Sequence, residues 1–322
     1  MKVYTYCEYN GCENTGKPVF LCDSSEYQEM LCKENLIAAI SNDTASDFSR
    51  TTICLGYFDG VHLAHRALFD KAKSNGEWGV LLFDKNVKNM PLLTTLQEKI
   101  RLIENTGADY VVIAEFSEKF MSRTPLEFAD FLKNTLKVSG VVAGFDYRFG
   151  KNAEGDAVLL EKLSKELGFS AEIVDEKCLD GEPVKSTAIR EYVKNGEIAS
   201  ANTLLGYSYI VSGIVEKGFG NGHKLGFPTA NIAYAEEKLL PSDGVYAGRI
   251  LGKDAVVNVG KNPTFGAEQR TVEAHILNFD GDLYGKYIEV EFLEKIRDDI
   301  KFETLEDLVE RIKKDIEFVK GR

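Results

Sequence analysis

The 322-residue chain has no apolar run long enough to cross a bilayer, and its basic residues do not outnumber its acidic ones. The first absence excludes a helical membrane span. The second, 39 Lys and Arg against 51 Asp and Glu for a net charge of −12, argues against a nucleic-acid partner, because binding the phosphate backbone needs clustered cations that displace counterions. The opening MKVYTYCEYNGCEN lacks the basic stretch and apolar run of a secretory signal, so a cytoplasmic protein with reduced thiols is expected. Cys7, Cys12, Cys22 and Cys32 crowd the first tenth of the chain without forming a CxxC pair. That spacing favours reduced thiols on strands and loops over a structural zinc site. No internal repeat or low-complexity tract is present.

What is present is a soluble composition, 44% hydrophobic and 28% charged, in a chain long enough for two cores. From Thr51, short β-rich runs alternate with helical ones: TTICLG, HRALFDKAKSNG, GVLLFD, TLQEKIRLIENTG, ADYVVIAEF, PLEFADFLKNTL, SGVVAGF, AVLLEKLSKELG and SAEIVDE. Such alternation predicts a Rossmann-like α/β domain, a parallel sheet covered on both faces. Ligands of such sheets sit at the carboxyl ends of the strands, where Gly56 to Gly60, Gly144 to Gly150 and the loop before Ser186 fall. Past Gly206 the pattern turns to period two (YSYIVSGIVEKG, GVYAGRIL, KDAVVNVG, RTVEAHILNF, YIEVEFLEKI) and predicts an antiparallel β-barrel, closed by a terminal helix in LEDLVERIKKDIEFVKGR. The expected division is residues 1–185, a helical linker over 186–206, and 207–322. In the first fifty residues, MKVYTYCEY and KPVFLC read as strands and EMLCKENLIAAISN as a helix, one further βα unit.

Two stretches carry chemistry. In CLGYFDGVHLAHRALFD, Cys54 to Asp70, a strand ends and Gly56-Tyr57-Phe58-Asp59-Gly60 turns into a helix starting near Val61. Its first N–H groups offer partial positive charge to an anion, and His62 and His65, three apart, share one face of that turn. This suits a nucleoside triphosphate attacked at its α-phosphate; a solvated or metal-binding histidine pair has the same spacing. In GFGNGHKLGFPTANI, Gly218, Gly220, Gly222 and Gly226 form a loop able to wrap phosphates, and Pro228 stiffens the approach to Thr229 and Asn231. A hydroxyl and an amide oxygen on one side of an extended segment suit a hard cation, while a hairpin with ordinary turn chemistry fits the glycines equally. In TVEAHIL, period two puts Val272, Ala274 and Ile276 on one face and Glu273 and His275 on the other, where His275 is expected only to pack or to face solvent.

GYFDGVHLAH resembles the G-x-F-D-G-x-H-x-G-H signature of bacterial bifunctional riboflavin kinase/FAD synthetases, the flavin branch of the nucleotidylyltransferase superfamily. LLTTLQEKIRLIENTGADYVV, VVAGFDYRFGKNAEGD, KSTAIREYVKNGEIASANTLLG, LGFPTANI, NVGKNPTFG and IRDDIKFETLEDLVERI resemble that family in the same order, from about Thr51 to the C-terminus. The resemblance implies a barrel that phosphorylates riboflavin to FMN and an α/β domain that adenylylates FMN to FAD, with ATP and Mg²⁺ required. It assigns ATP phosphate contacts to His62, His65 and Arg190, with Gly56, Phe58, Asp59, Gly60, Ser186 and Thr187 around them. Asp146 and Arg148 border flavin and nucleotide. Thr229 and Asn231 bind Mg²⁺ and ATP beside the glycines of the loop, Glu273 is the catalytic base, Asn258 starts a flavin-side loop, and Arg297 and Phe302 belong to a flap.

Two departures fall on the first motif. Ala64 replaces the glycine of H-x-G-H, where an added methyl in a tight contact can cost about 1 kcal/mol or more. LLFDKNVKNMPLLT lacks the histidine of the family's T-F-D-P-H-P-like stretch. Together they leave open a kinase with a degenerate adenylyltransferase domain. A non-catalytic flavin-binding regulator is a third reading, opposed by the intact Glu273.

Overall fold

The computed structural model describes residues 1–6, 19–23, 48–86, 90–218, 225–261 and 270–322. It divides into two compact units, Met1–Met90 with Leu96–Val184, and Pro91–Thr95 with Lys185–Arg322.

The first unit is built on a seven-stranded sheet. Its order is β2 (Val19–Asp23), β1 (Lys2–Tyr6), β5 (Tyr110–Ala114), β4 (Trp78–Phe83), β3 (Thr52–Leu55), β6 (Gly140–Gly144) and β9 (Ser170–Val174). Two short ladders pair β7 (Arg148–Phe149) with β8 (Gly155–Asp156) and β10 (Cys178–Leu179) with β11 (Glu182–Pro183). Helices α1 (Leu63–Lys73), α2 (Leu96–Glu104), α3 (Glu118–Met121), α4 (Pro125–Asp130) and α5 (Ala157–Leu167) lie between the strands in sequence.

Every neighbour in the large sheet is parallel except β1 with β2, the doubly covered α/β sheet that the alternation predicts. β3 and β5 are buried along their whole length, as strands covered on both faces must be. The N-terminal strand readings hold for β1 and β2, but the two pair as an antiparallel ribbon at the sheet edge. EMLCKENLIAAISN, Cys7, Cys12 and Cys32 lie outside the described residues.

Helix starts follow local chemistry. The Thr124 hydroxyl accepts from the Glu127 N–H while the Glu127 carboxylate accepts from the Thr124 N–H, a reciprocal cap that opens α4 at Pro125. Asp156 caps α5 through the Leu159 N–H at 2.8 Å.

The second unit is a closed six-stranded antiparallel barrel. Its order is β12 (Tyr209–Glu216), β13 (Ala230–Tyr234), β16 (Arg270–Ile276), β15 (Lys253–Lys261), β14 (Gly244–Ile250) and β17 (Tyr287–Arg297), with β17 pairing back to β12. Alternate residues fill the interior, among them Tyr209, Val211, Tyr246, Val257, Val272 and Phe292. The terminal helix α8 (Leu305–Lys320) covers an outer face, where Val319 and Ile316 pack on Ala247, Val256 and Leu277. Helices α6 (Ser186–Asn195) and α7 (Ile198–Leu205) bury Ile189, Val193, Ile198 and Leu205 in the same core as the barrel.

Pro91–Thr95 is also part of this second unit. The Leu92 N–H donates to the Glu237 carbonyl at 2.7 Å, and the Leu92 carbonyl accepts from the Leu239 N–H at 2.8 Å. Leu93 is fully buried in the second core.

Candidate active sites

Among the five βα strands of the first unit the order is β5-β4-β3-β6-β9, so the chain reverses direction across the sheet between β3 and β6. Ligands of open α/β sheets bind at that switch point, beyond the carboxyl ends of the strands. The loops after β3 and β6 are those carrying Gly56–Gly60 and Gly144–Gly150.

Gly60 takes φ of 87°, and Phe58 at 51° and Val61 at 38° share the left-handed region with it. For a β-branched or bulky residue this costs on the order of 1–3 kcal/mol, strain typical of a functional turn. A Cβ on Gly56 would come within 2.9 Å of the Phe58 ring, so glycine there lets the ring fold beneath the turn. Phe58 and Asp59 are buried, and Phe58 stands edge-on to His65 at 5.2 Å between centroids. Phe58 therefore props the turn from below.

Helix α1 begins at Leu63, two residues later than the sequence reading, because Val61 is not helical and His62 serves as the N-cap. The His62 Nδ1 accepts the His65 N–H at 3.4 Å. An accepting Nδ1 leaves the neutral ring's proton on Nε2, the atom that can donate to a ligand. The two imidazoles stack at 3.6 Å with 16° between planes. Ala64 lies half-buried in the first turn between them. Sequence reasoning missed the groups that tether this turn. Lys99 Nζ donates to the Tyr57 carbonyl at 3.0 Å, the Tyr57 hydroxyl donates to Asn86 Oδ1 at 2.9 Å, and Asn86 Nδ2 donates to the Met90 carbonyl.

After β6, Asp146 and Arg148 are exposed, and Arg148 pairs with Asp156 at 3.5 Å. Near the carboxyl ends of β4 and β5, Phe83, Phe116, Phe120 and Phe131 form an aromatic wall, with the Arg123 guanidinium about 4.5 Å from the last two rings. That wall was also missed, although the signal was present in the repeated Phe of FSEKFMSRTPLEF. Ser186, Thr187 and Arg190 sit on α6 in the second unit. Arg190 is buried and its Nε donates to the Pro91 carbonyl at 3.3 Å.

In the barrel, pairing aligns three predicted residues side by side. Asn231 on β13 lies directly opposite Glu273 on β16, and Glu273 lies directly opposite Asn258 on β15. Directly paired residues project from the same face. Glu273 and Asn258 are half-buried on the outer face, opposite Val272 and Ala274 in the core, which matches the reading of TVEAHIL. The Glu273 carboxyl is pushed above the ordinary glutamate range by desolvation.

Thr229 immediately precedes β13. Gly218 faces the Asn231 amide, and Gly226 has φ of 83° with no atom of the described residues within 4 Å of an added Cβ. Gly220 and Gly222, and residues 262–269 of the flavin-side loop, lie outside the described residues. His275 does more than face solvent: its Nδ1 is 2.8 Å from the Pro228 carbonyl, and Phe227 stands edge-on to its ring.

Arg297 and Phe302 come together, the guanidinium lying 5.8 Å from the ring centroid. Arg297 also donates from Nε and Nη2 to Asp315 of α8, a buried carboxylate that accepts from Arg311 as well. The sequence reading did not reach Asp315, since a helical Asp carries no local signal of a partner on a strand.

Comparison with known proteins gives two family matches, FAD synthetase over residues 44–188 and riboflavin kinase over residues 205–321. Among curated relatives, a bifunctional riboflavin kinase/FMN adenylyltransferase of Listeria monocytogenes is 36% identical over 294 residues, covering 86% of this chain and 93% of its own. The protein of that description from Escherichia coli K12 is 34% identical over 298 residues, covering 87% and 95%. A crystal structure described as a macrolide-efflux protein from Streptococcus pneumoniae superimposes with a TM-score of 0.77 at 30% identity, covering 87% of this chain and 96% of that one. Among the described residues of this chain no helix is long and apolar enough to cross a membrane.

Proposed function

Since the chain belongs to the bifunctional riboflavin kinase/FMN adenylyltransferase family, we propose that its second unit phosphorylates riboflavin and its first unit adenylylates the FMN so made, in a cytoplasmic setting. The observation that carries the kinase assignment is the row of Asn231, Glu273 and Asn258 across three adjacent strands.

In the kinase step the ribityl 5′-hydroxyl oxygen attacks the γ-phosphorus of ATP, the bond to ADP breaks, and the hydroxyl proton passes to Glu273. A carboxylate raised by desolvation suits this task, because a base works best when its pKa approaches the operating pH. The donors beside it are a hydroxyl and amide oxygens, which suit Mg²⁺ and would serve a soft metal poorly. Thr229 and Asn231 would hold the ion, which neutralises phosphate charge when bound. Asn258, Arg297 and Phe302 border the flavin, the last two as part of the flap.

In the adenylyl step an FMN phosphate oxygen attacks the α-phosphorus of ATP and pyrophosphate leaves. His62, donating from Nε2, and His65 with the first N–H groups of α1 stabilise the phosphate charge without a covalent intermediate. The glycine turn brings backbone close to the nucleotide, and Asp146 and Arg148 border the flavin and nucleotide.

A kinase-only reading has two observations in its favour, Ala64 at the first turn of α1 beside the stacked histidines and the missing histidine of LLFDKNVKNMPLLT. Feeding riboflavin to one sample and FMN to another, each with ATP and Mg²⁺, separates the two readings. FAD in both samples is the expected result. Riboflavin stopping at FMN, with fed FMN unchanged, would leave the kinase alone.

A further inference from the structure

β16 places Glu273 and His275 on the same outer face, two residues apart. β13 pairs with it as Ala230↔Ala274 and Asn231↔Glu273, and the ladder stops there. One step further, the register would set Thr229 opposite His275. β13 does not extend to that step, and Pro228, just before it, has no N–H to donate. At that step the imidazole substitutes for the ladder, with Nδ1–H donating to the Pro228 carbonyl at 2.8 Å. The edge-to-face Phe227 ring, 5.8 Å away, fixes the imidazole plane.

We propose that His275 is a positioning residue for riboflavin phosphorylation. Its bond to the Pro228 carbonyl holds the Pro228–Thr229 peptide plane, and thereby aims the Thr229 hydroxyl toward the phosphates alongside Asn231 and Glu273. A peptide plane held at its oxygen cannot rotate without breaking that bond, so the orientation of the following residue is set before ATP arrives. The inference rests on the kinase reading above. It adds a group that touches neither nucleotide nor flavin. Nδ1 donates in the Nδ1–H tautomer and in the cation alike, so the contact does not depend on the charge of the imidazole.

The test uses the full chain and two substitutions. His275→Phe keeps a ring against Phe227 and loses the donor. His275→Asn places an amide N–H near the position of Nδ1. Riboflavin phosphorylation and FMN adenylylation are measured on each protein, with KM for ATP and for riboflavin determined separately. For His275→Phe we expect kcat/KM for ATP to fall about tenfold or more, as for a lost positioning bond. KM for riboflavin and the rate of FMN adenylylation should stay near wild type, and His275→Asn should restore most of the loss.

Wild-type phosphorylation in His275→Phe would overturn the proposal. So would an equal loss in His275→Asn, which would make the ring's packing the cause, or loss of both activities in both variants, which would make His275 a folding residue. If the wild-type chain itself makes no FMN, it is the kinase reading that fails.

Discussion

Replacing Gly218 by Ala adds one methyl group to the barrel unit, and its effect can be worked out from distances. An ideal Cβ on Gly218 falls 2.1 Å from Asn231 Nδ2, whereas ordinary contact begins near 3.4 Å. The amide must therefore retreat by more than an ångström, out of its row with Glu273. The backbone of Gly218 is outside the left-handed region, so alanine itself is tolerated there. Fewer unfolded conformations even favour the variant by about 0.4–1 kcal/mol. Misplacing one oxygen contact to a charged ligand costs about 1.5–3 kcal/mol. That range corresponds to a fall of about 10- to 150-fold in kcat/KM for riboflavin phosphorylation.

Gly226→Ala is the matched control. Its φ of 83° imposes about 1–2 kcal/mol of backbone strain, with no atom of the described residues within 4 Å to strike. Initial rates of FMN formation, alongside urea midpoints, separate the two effects. Gly218→Ala should lose activity and keep stability, and Gly226→Ala should lose stability first. A Gly218→Ala protein with wild-type kcat/KM would refute the argument that this glycine exists to seat Asn231.

Glu273→Gln should abolish FMN formation while stabilising the fold at neutral pH. Burial raises the native pKa of Glu273 above its unfolded value, so between those two values the folded chain binds more protons and loses stability as pH rises. Glutamine removes that loss, and urea midpoints from acid to neutral pH should converge at the acid end and favour the variant at the neutral end. In the wild type, the acid limb of kcat/KM for riboflavin, which reports the free enzyme, should lie above the ordinary carboxylate range. Asp315→Asn leaves the Arg297 side chain, only 12% exposed, without its carboxylate. Breaking such a buried pair costs about 3–5 kcal/mol, read as a lowered urea midpoint, and riboflavin phosphorylation should weaken as the Arg297–Phe302 contact loosens.

Sequence alone determined much of this protein because much of it is local. The alternation from Thr51 to Glu176 set the parallel sheet, and period two after Gly206 set the barrel, since burial on two faces or one leaves its mark on neighbouring residues. The glycine turn and the PTAN segment were legible for the same reason: their chemistry lies within a few residues of chain. The tertiary structure decided what depends on distant partners. Strand register alone brings Asn231, Glu273 and Asn258 into one row, and a shift of one residue would turn Glu273 into the core. Lys99 on the Tyr57 carbonyl, His275 on Pro228 and Asp315 against Arg297 all follow from folding. A hydrogen bond across tens of residues is fixed by packing and leaves no periodic trace in the sequence.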